Sequence, residues 1–227
     1  MIFIIIGVFA LLGWIVSARL KSKFKKYSQI GLRSGMSGAE AAQRMLHDHG
    51  IHDVQITCVP GRLTDHYNPS DKTVNLSEDV YHGRHAAAVA VAAHECGHAV
   101  QHATAYSMLQ LRSALVPVQV TAAKLLNIFM ILGVLGIAFS WLPYFVVGLV
   151  ICGAYGVMTL FSVITLPVEF DATARALKWI EEQRIVTSQE YTMSQDALKW
   201  AAMTYVVAAL GSLAAFLYYI FVFFGND

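Results

Sequence analysis

Long uncharged stretches alternate with polar segments along this chain. Three stretches contain no Asp, Glu, Lys or Arg: residues 1–18, 125–168 and 201–225. A helix needs about 20 apolar residues to cross a bilayer, so the middle stretch is long enough for two crossings. Residues 140–144 (SWLPY) interrupt it with a proline and two aromatic residues typical of a membrane interface. The pattern predicts four transmembrane helices, at residues 1–18, 116–139, 142–168 and 201–225.

Basic residues predict the orientation of these helices. Five of them follow the first span directly: Arg19, Lys21, Lys23, Lys25 and Lys26. Residues 140–144 and the tail at 224–227 contain no Lys or Arg. The positive-inside rule therefore places residues 19–115 and 169–200 in the cytoplasm. Because no positive charge precedes the first apolar run, we expect that run to be an anchor and not a cleaved signal peptide.

The composition supports a membrane protein and argues against a nucleic-acid partner. Hydrophobic residues make up 56% of the chain and charged residues 14%, whereas soluble domains are about a quarter charged. The net charge is +1, and no dense basic patch occurs beyond the membrane flank, so binding to nucleic acid is not expected. The three cysteines have no regular spacing, which is typical of a reducing compartment and not of a disulfide framework.

Local signals predict the elements of the two polar segments. Ser37 and Glu40 have the spacing of a capping box, and Gly50 is a typical helix stop, which predicts a short helix. Residues 54–59 are rich in β-branched residues, and residues 63–67 and 73–76 flank the turn signals at 68–71, which together predict a small sheet with a hairpin. Thr187 and Glu190 form a second capping-box pattern, which predicts a helix that runs into the last span.

His94, Glu95 and His98 form the sequence HECGH within an alanine-rich run that is predicted to be helical. Residues four apart share a helix face, so both histidines can bind one zinc ion, and Glu95 can face a water bound to it. An alanine-rich helix needs no metal, but burying these three polar groups without an ion would be unfavourable. Cys96 points to another face and is predicted to pack. Gly97 is expected to lower helix stability.

A catalytic zinc usually has three protein ligands and an open position for water, so a third ligand is needed. His102 lies on the same helix but is rotated away from His94, and three ligands on one straight helix do not make a tetrahedron. Glu169 is the preferred ligand because it emerges at the cytoplasmic end of the third span. Asp171 is the alternative, either as the ligand or as the acceptor for a ring N–H of a zinc-bound histidine. Arg175 is expected to pair with Asp171 or to bind substrate.

The chain resembles the YugP-type neutral zinc metallopeptidases of bacterial membranes over nearly its whole length. The resemblance rests on three motifs: residues 63–67 (LTDHY) with 74–77 (VNLS), residues 92–99 (AAHECGHA) and residues 166–172 (LPVEFDA). It implies that His94 and His98 are zinc ligands, that Glu95 is the catalytic base and that Glu169 is the third ligand. It also implies the bacterial plasma membrane.

A more distant resemblance is to the HtpX and CAAX prenyl protease group, which are membrane enzymes with a cytoplasm-facing site. Their downstream motif is Glu-x-x-x-Asp, whereas here Asp171 follows Glu169 by two positions and Thr173 holds the fourth. This resemblance therefore does not assign a role to Asp171.

Together these features predict a mainly α membrane protein with four transmembrane helices plus a small α+β zincin-like cytoplasmic catalytic domain. Residues 19–115 would form the catalytic region with the HExxH helix, and residues 169–200 would supply the third ligand. The predicted function is a multi-pass membrane zinc metallopeptidase that hydrolyses peptide bonds by Glu95-assisted attack of a zinc-bound water. The expected partners are a peptide or protein substrate, which includes membrane proteins, and the lipid bilayer.

Two other functions are compatible with the sequence. One is a membrane scaffold or adaptor whose zinc site is structural or vestigial, which a closed shell of four protein ligands would indicate. The other is intramembrane proteolysis with the zinc inside the bilayer. Charged residues next to the metal helix, such as Asp79 and Arg84, argue against burying that helix in lipid.

Overall fold

The computed structural model describes residues 1–134 and 142–225, and it confirms that the protein is mainly helical. The helices are α1 (Ile2–Tyr27), α2 (Gly38–Asp48), α3 (Glu78–Tyr81), α4 (Ala86–Ala103), α5 (Ser107–Val134), α6 (Tyr144–Glu182) and α7 (Ser188–Phe224). The strands are β1 (Gln55–Val59), β2 (His66–Asn68) and β3 (Thr73–Ser77).

Four of these helices, α1, α5, α6 and α7, are long and apolar enough to cross a bilayer. This agrees with the four predicted spans, although α5 begins at Ser107 and so extends well before residue 116. Helices α6 and α7 have 39 and 37 residues, more than a bilayer requires. Both helices continue without a break through the predicted membrane boundaries at 168/169 and 200/201. The positions of those boundaries therefore stay predictions. Residues 140 and 141 of the predicted interruption at 140–144 fall outside the described residues, and α6 begins at Tyr144.

The chain divides into two compact units. One unit contains residues 1–15, 110–166 and 204–227, and the other contains residues 16–109 and 167–203. The first unit is built from apolar helices with many exposed large side chains, such as Phe3, Leu11 and Phe221. Such a surface is typical of contact with lipid. Within this unit Gly148 lies against the ring of Phe223, a close approach that a small residue allows.

The second unit has its core between the alanine-rich helix α4, helix α2 and the sheet. Ala41, Ala42 and Met45 of α2 are completely buried, as are Ala90 and Ala93 of α4, and all five belong to one core cluster. Small side chains on both helices let their backbones approach closely. Helix α2 begins with the predicted capping box, in which Ser37 Oγ accepts from the Glu40 amide and the Glu40 carboxylate accepts from the Ser37 amide.

The three strands form one sheet in the order β1-β3-β2, which confirms the predicted small sheet. Strands β1 and β3 are parallel, whereas β2 and β3 form the predicted antiparallel hairpin. Strand β2 begins at His66 and not at Leu63, because Leu63 has a φ of 58°, in the left-handed region that no strand residue adopts. Ser77 closes β3, where its amide and hydroxyl both donate to the Asp65 carboxylate.

The start of α7 also follows its local signal and is tied to α1. Thr187 and Glu190 form the predicted capping box, and the Glu190 carboxylate accepts in addition from the Arg33 amide. Farther along, Asp196 lies 2.8 Å from the Lys23 ammonium and accepts a hydrogen bond from Tyr27. These contacts fix the ends of α1 and α7 to each other within the second unit.

Candidate metal centre

Helix α4 carries the HECGH sequence in the core of the second unit. His85 precedes the helix as its N-cap, and its Nδ1 accepts from the Ala88 amide, one of the free N–H groups of the first turn. Sequence reasoning missed this role, because histidine is not among the preferred N-cap residues. Glu95 and His98 are buried, with 8% and 7% of their surface exposed, so the motif lies at the edge of the core.

Glu169 comes from the part of α6 that follows Pro167. Val168, Ala172 and Ala176, at helical spacing, are completely buried, which marks the packed face of this segment. Gly97 of α4 faces the backbone of Ala172 so closely that a β-carbon there would lie 2.7 Å from the Ala172 carbonyl oxygen. The close approach brings Glu169, which is 2% exposed, to the histidines of α4.

The two histidines and Glu169 converge at one point, as the sequence predicted. One ligand atom from each residue lies within 4.8 Å of the others. The Glu169 Oε2 atom is 3.3 Å from His94 Nε2 and 3.7 Å from His98 Nε2. Two imidazole nitrogens and one carboxylate oxygen, from two separate helices, are a donor set that fits zinc and leaves room for a further ligand. Among the residues that the structure describes, no fourth His, Cys, Asp or Glu joins the group.

Each histidine is held through its other ring nitrogen. His94 Nδ1 lies 3.2 Å from the Thr173 hydroxyl. His98 Nδ1 lies 2.9 Å from the side-chain oxygen of Gln101, which is completely buried. Contacts of this kind set the orientation of a metal-binding imidazole. Sequence analysis missed both partners, and the only available signal was the position of Thr173, where the distantly similar enzymes have aspartate.

Asp171 does not contact either histidine directly, which corrects its predicted role as their acceptor. Its Oδ2 accepts from the Gln101 amide at 2.8 Å and from Arg175 Nε at 2.6 Å. The predicted Asp171–Arg175 pair is therefore present. Asp171 reaches His98 through Gln101, because two residues along a helix turn its side chain about 200° away from that of Glu169.

Glu95 lies beside the cluster in a buried position. Burial raises the pKa of the Glu95 carboxyl, and the nearby Glu169 carboxylate acts in the same direction. The two histidines oppose this shift. A carboxylate with a raised pKa is a better proton acceptor at neutral pH than an ordinary one. The position therefore suits a general base.

Other candidates from the sequence lie elsewhere. His102, the alternative third ligand, has its Nδ1 2.8 Å from the Tyr67 hydroxyl and is not part of the cluster. Cys96 is buried and its thiol donates to the Ala42 carbonyl at 3.6 Å, as expected for a packing residue.

Comparison with known proteins agrees with this chemistry. A family model described as "Putative neutral zinc metallopeptidase" matches residues 2–224. A protein of Bacillus subtilis (strain 168), described as "Putative membrane protease YugP", is 40% identical over 229 residues, which cover 100% of this chain and 99% of that protein. No solved structure matches the chain. The chain therefore belongs to the family of neutral zinc metallopeptidases, whose cofactor is zinc and whose substrates are peptides or proteins.

Proposed function

We propose that His94, His98 and Glu169 hold the zinc ion and that Glu95 is the general base for peptide-bond hydrolysis. The observation that carries this proposal is the convergence of the three ligand atoms within 4.8 Å. Glu169 comes from a helix far along the chain from the HECGH motif, so this convergence is not a consequence of local sequence. The ligand set of two histidines and one glutamate is used by other zinc peptidases.

The chain's own residues supply the proton transfers. When bound, zinc polarises the scissile carbonyl and lowers the pKa of the attacking water. Glu95 accepts a proton from that water as it attacks the carbonyl carbon, and then delivers the proton to the leaving amine nitrogen. The buried position of Glu95 keeps bulk water from competing for this proton. His94 and His98 hold their positions through Thr173 and Gln101.

We place the site on the cytoplasmic side of a multi-pass membrane protein. The cluster of basic residues that follows the first apolar stretch supports this orientation, as does the absence of Lys and Arg from residues 140–144. The residues of the candidate site all belong to the unit of residues 16–109 and 167–203. Cytoplasmic segments of membrane proteins are suitable substrates, because this unit is anchored by four apolar helices.

A scaffold with a structural zinc site is the less favoured function. A structural site usually has four protein ligands, whereas the cluster in the described part of the chain has three. Cys96 and His102, the residues that would complete a closed shell, make other contacts.

The decisive experiment combines metal analysis with a cleavage profile. The protein, purified in detergent, is analysed for zinc and incubated with a peptide library, and the Glu95→Gln variant is treated in the same way. We expect about one zinc per chain in both proteins and cleavage by the parent alone. Normal cleavage by Glu95→Gln would exclude Glu95 as the base. A parent protein that binds no added zinc would overturn the proposed metal centre.

A further inference from the structure

Gln101 makes hydrogen bonds on two sides while completely buried. Its Oε1 atom lies 2.9 Å from His98 Nδ1 on the same helix. Its Nε2 atom lies 2.8 Å from the Val168 carbonyl oxygen and 2.8 Å from Asp171 Oδ2, both on α6. Every polar atom of this side chain therefore has a defined partner. A buried amide with all its hydrogen bonds satisfied has one preferred orientation.

The partners on α6 determine which way the Gln101 amide faces. A backbone carbonyl only accepts hydrogen bonds, and so does an ionised carboxylate, so the Gln101 –NH₂ group must face Val168 and Asp171. The amide oxygen is then the atom that faces His98, and it too only accepts. His98 Nδ1 must consequently carry the proton. The lone pair of the neutral ring is left on Nε2, the nitrogen that lies 3.7 Å from Glu169 Oε2 in the metal cluster.

His94 has no equivalent restriction. Its Nδ1 atom contacts the hydroxyl of Thr173 at 3.2 Å, and a hydroxyl can donate or accept. Thr173 therefore orients the His94 ring without deciding which nitrogen is protonated. The two histidines of one motif differ in this respect, and Thr173 provides a matched comparison for Gln101.

Arg175 extends the chain of contacts beyond Asp171. Its Nε donates to Asp171 Oδ2 at 2.6 Å, the same oxygen that accepts from Gln101. The Arg175 guanidinium also lies 5.9 Å from the centre of the Tyr106 ring. The Asp171 carboxylate therefore accepts from both Gln101 and Arg175, and the bond from Arg175 holds it in place as the acceptor for the Gln101 amide.

We propose that Gln101 is the positioning residue that fixes His98 in its Nδ1-protonated tautomer, with Asp171 and Arg175 holding Gln101 in place. This inference rests on the proposed function, because it takes His98 to be a zinc ligand. Its consequence is that zinc affinity depends on a buried glutamine and an aspartate that do not touch the metal. Loss of such an outer partner typically lowers metal affinity by about 10–100-fold.

The first test reads the tautomer directly and needs no zinc. The metal-free parent protein is labelled with ¹⁵N-histidine, and the His98 ring signals are assigned from a His98→Asn variant. We expect the His98 Nδ1 to be protonated; Nε2 is not diagnostic without zinc, because the Glu169 carboxylate 3.7 Å away attracts a proton to it. In Gln101→Met, which keeps the length of the side chain and removes its hydrogen bonds, we expect a mixture of protonated and unprotonated Nδ1. An unprotonated Nδ1 in the parent would overturn the proposal, whether or not any variant folds.

The second test measures zinc affinity by competition with a chelating dye. We expect Gln101→Met to weaken zinc binding by about 10–100-fold, and Asp171→Asn by about threefold to tenfold. Thr173→Val should change it by less than about threefold. Equal losses in Gln101→Met and Thr173→Val, or affinity within about twofold of the parent in Gln101→Met, would overturn the proposal. A parent that binds no zinc would instead refute the metal centre itself, while the tautomer remains readable.

Discussion

Gly97 lies directly against the backbone of Ala172, with no room for a side chain between them. A β-carbon on Gly97 would be 2.7 Å from the Ala172 carbonyl oxygen and 3.1 Å from its α-carbon. Both distances are shorter than ordinary van der Waals contact. The glycine between the two histidines therefore lets α6 approach α4, and this approach places Glu169 beside His94. The cost of glycine to helix stability is offset by the contact that it permits.

Gly97→Ala should separate α6 from α4 and weaken zinc binding. The added methyl group meets backbone atoms, which cannot rotate away, so we expect a loss of about 1–3 kcal/mol in stability. Zinc per chain and the thermal midpoint of the purified protein measure the two effects. Gly153→Ala is the matched control on α6, because nothing lies within 4 Å of a β-carbon at that position. An unchanged zinc content in Gly97→Ala would show that the contact is not needed for the site.

Glu169→Gln should lose zinc more severely than any variant outside the ligand set. The amide keeps the size of the side chain but removes the negative charge, so one of three protein ligands becomes a weak donor. We expect a loss in zinc affinity of at least about 100-fold, beyond the effect of removing an outer partner. The dye competition assay measures it. Glu181→Gln, an exposed position on the same helix, is the control and should bind zinc like the parent. Tight zinc binding by Glu169→Gln would leave the third ligand unassigned.

The sequence predicts what local rules determine. The capping boxes at Ser37 and Thr187, the hairpin between β2 and β3, and the spacing of His94 and His98 all follow from residues a few positions apart. Glu169 could be identified because the charge pattern places its segment on the same side of the membrane as the histidines. The charge pattern predicts which segment supplies the third ligand, but it does not predict the distance between Glu169 and the histidines.

The partners of the histidines could not be predicted in the same way. The contacts of Gln101 with Val168 and of Thr173 with His94 depend on how closely two helices pack, and on their rotation about their own axes. Asp171 has a carboxylate that could accept a hydrogen bond from a histidine, but it contacts Gln101, which in turn contacts His98. No pattern in the sequence indicates this role of Gln101. The role of Gly97 is likewise a property of packing between distant segments.

The proposed orientation can be tested with the native cysteines. Cys58 is exposed, whereas Cys96 and Cys152 are buried. Burial also raises the pKa of the Cys96 thiol, which makes it unreactive. A membrane-impermeant maleimide should therefore leave the protein unlabelled in intact spheroplasts and label Cys58 after permeabilisation. Leu142→Cys in a Cys58→Ser background should be labelled in intact spheroplasts. Labelling of Cys58 before permeabilisation would place residues 19–115 outside the cell.

Glu40 should make the second unit more stable at neutral pH than at acid pH. The hydrogen bonds from Arg84, at 2.9 and 3.0 Å, and that from the Ser37 amide lower the pKa of the Glu40 carboxyl. A carboxyl with a lowered pKa in the folded state stabilises the fold fully above its unfolded pKa, 4.5 here. That stabilisation is lost as the pH falls through the lower, folded value. Glu40→Gln keeps the cap geometry and removes the charge.

The measurement compares thermal midpoints of the parent and Glu40→Gln at about pH 7 and about pH 3, both without zinc so that metal release at acid pH plays no part. At about pH 7 we expect the parent to have a higher thermal midpoint than Glu40→Gln. At about pH 3 we expect the difference between the two midpoints to be smaller. Arg84→Gln should show the same convergence, because the Arg84–Glu40 pair is the largest cause of the pKa shift. A constant difference at both pH values would mean that the charge of Glu40 contributes nothing to the stability of the fold.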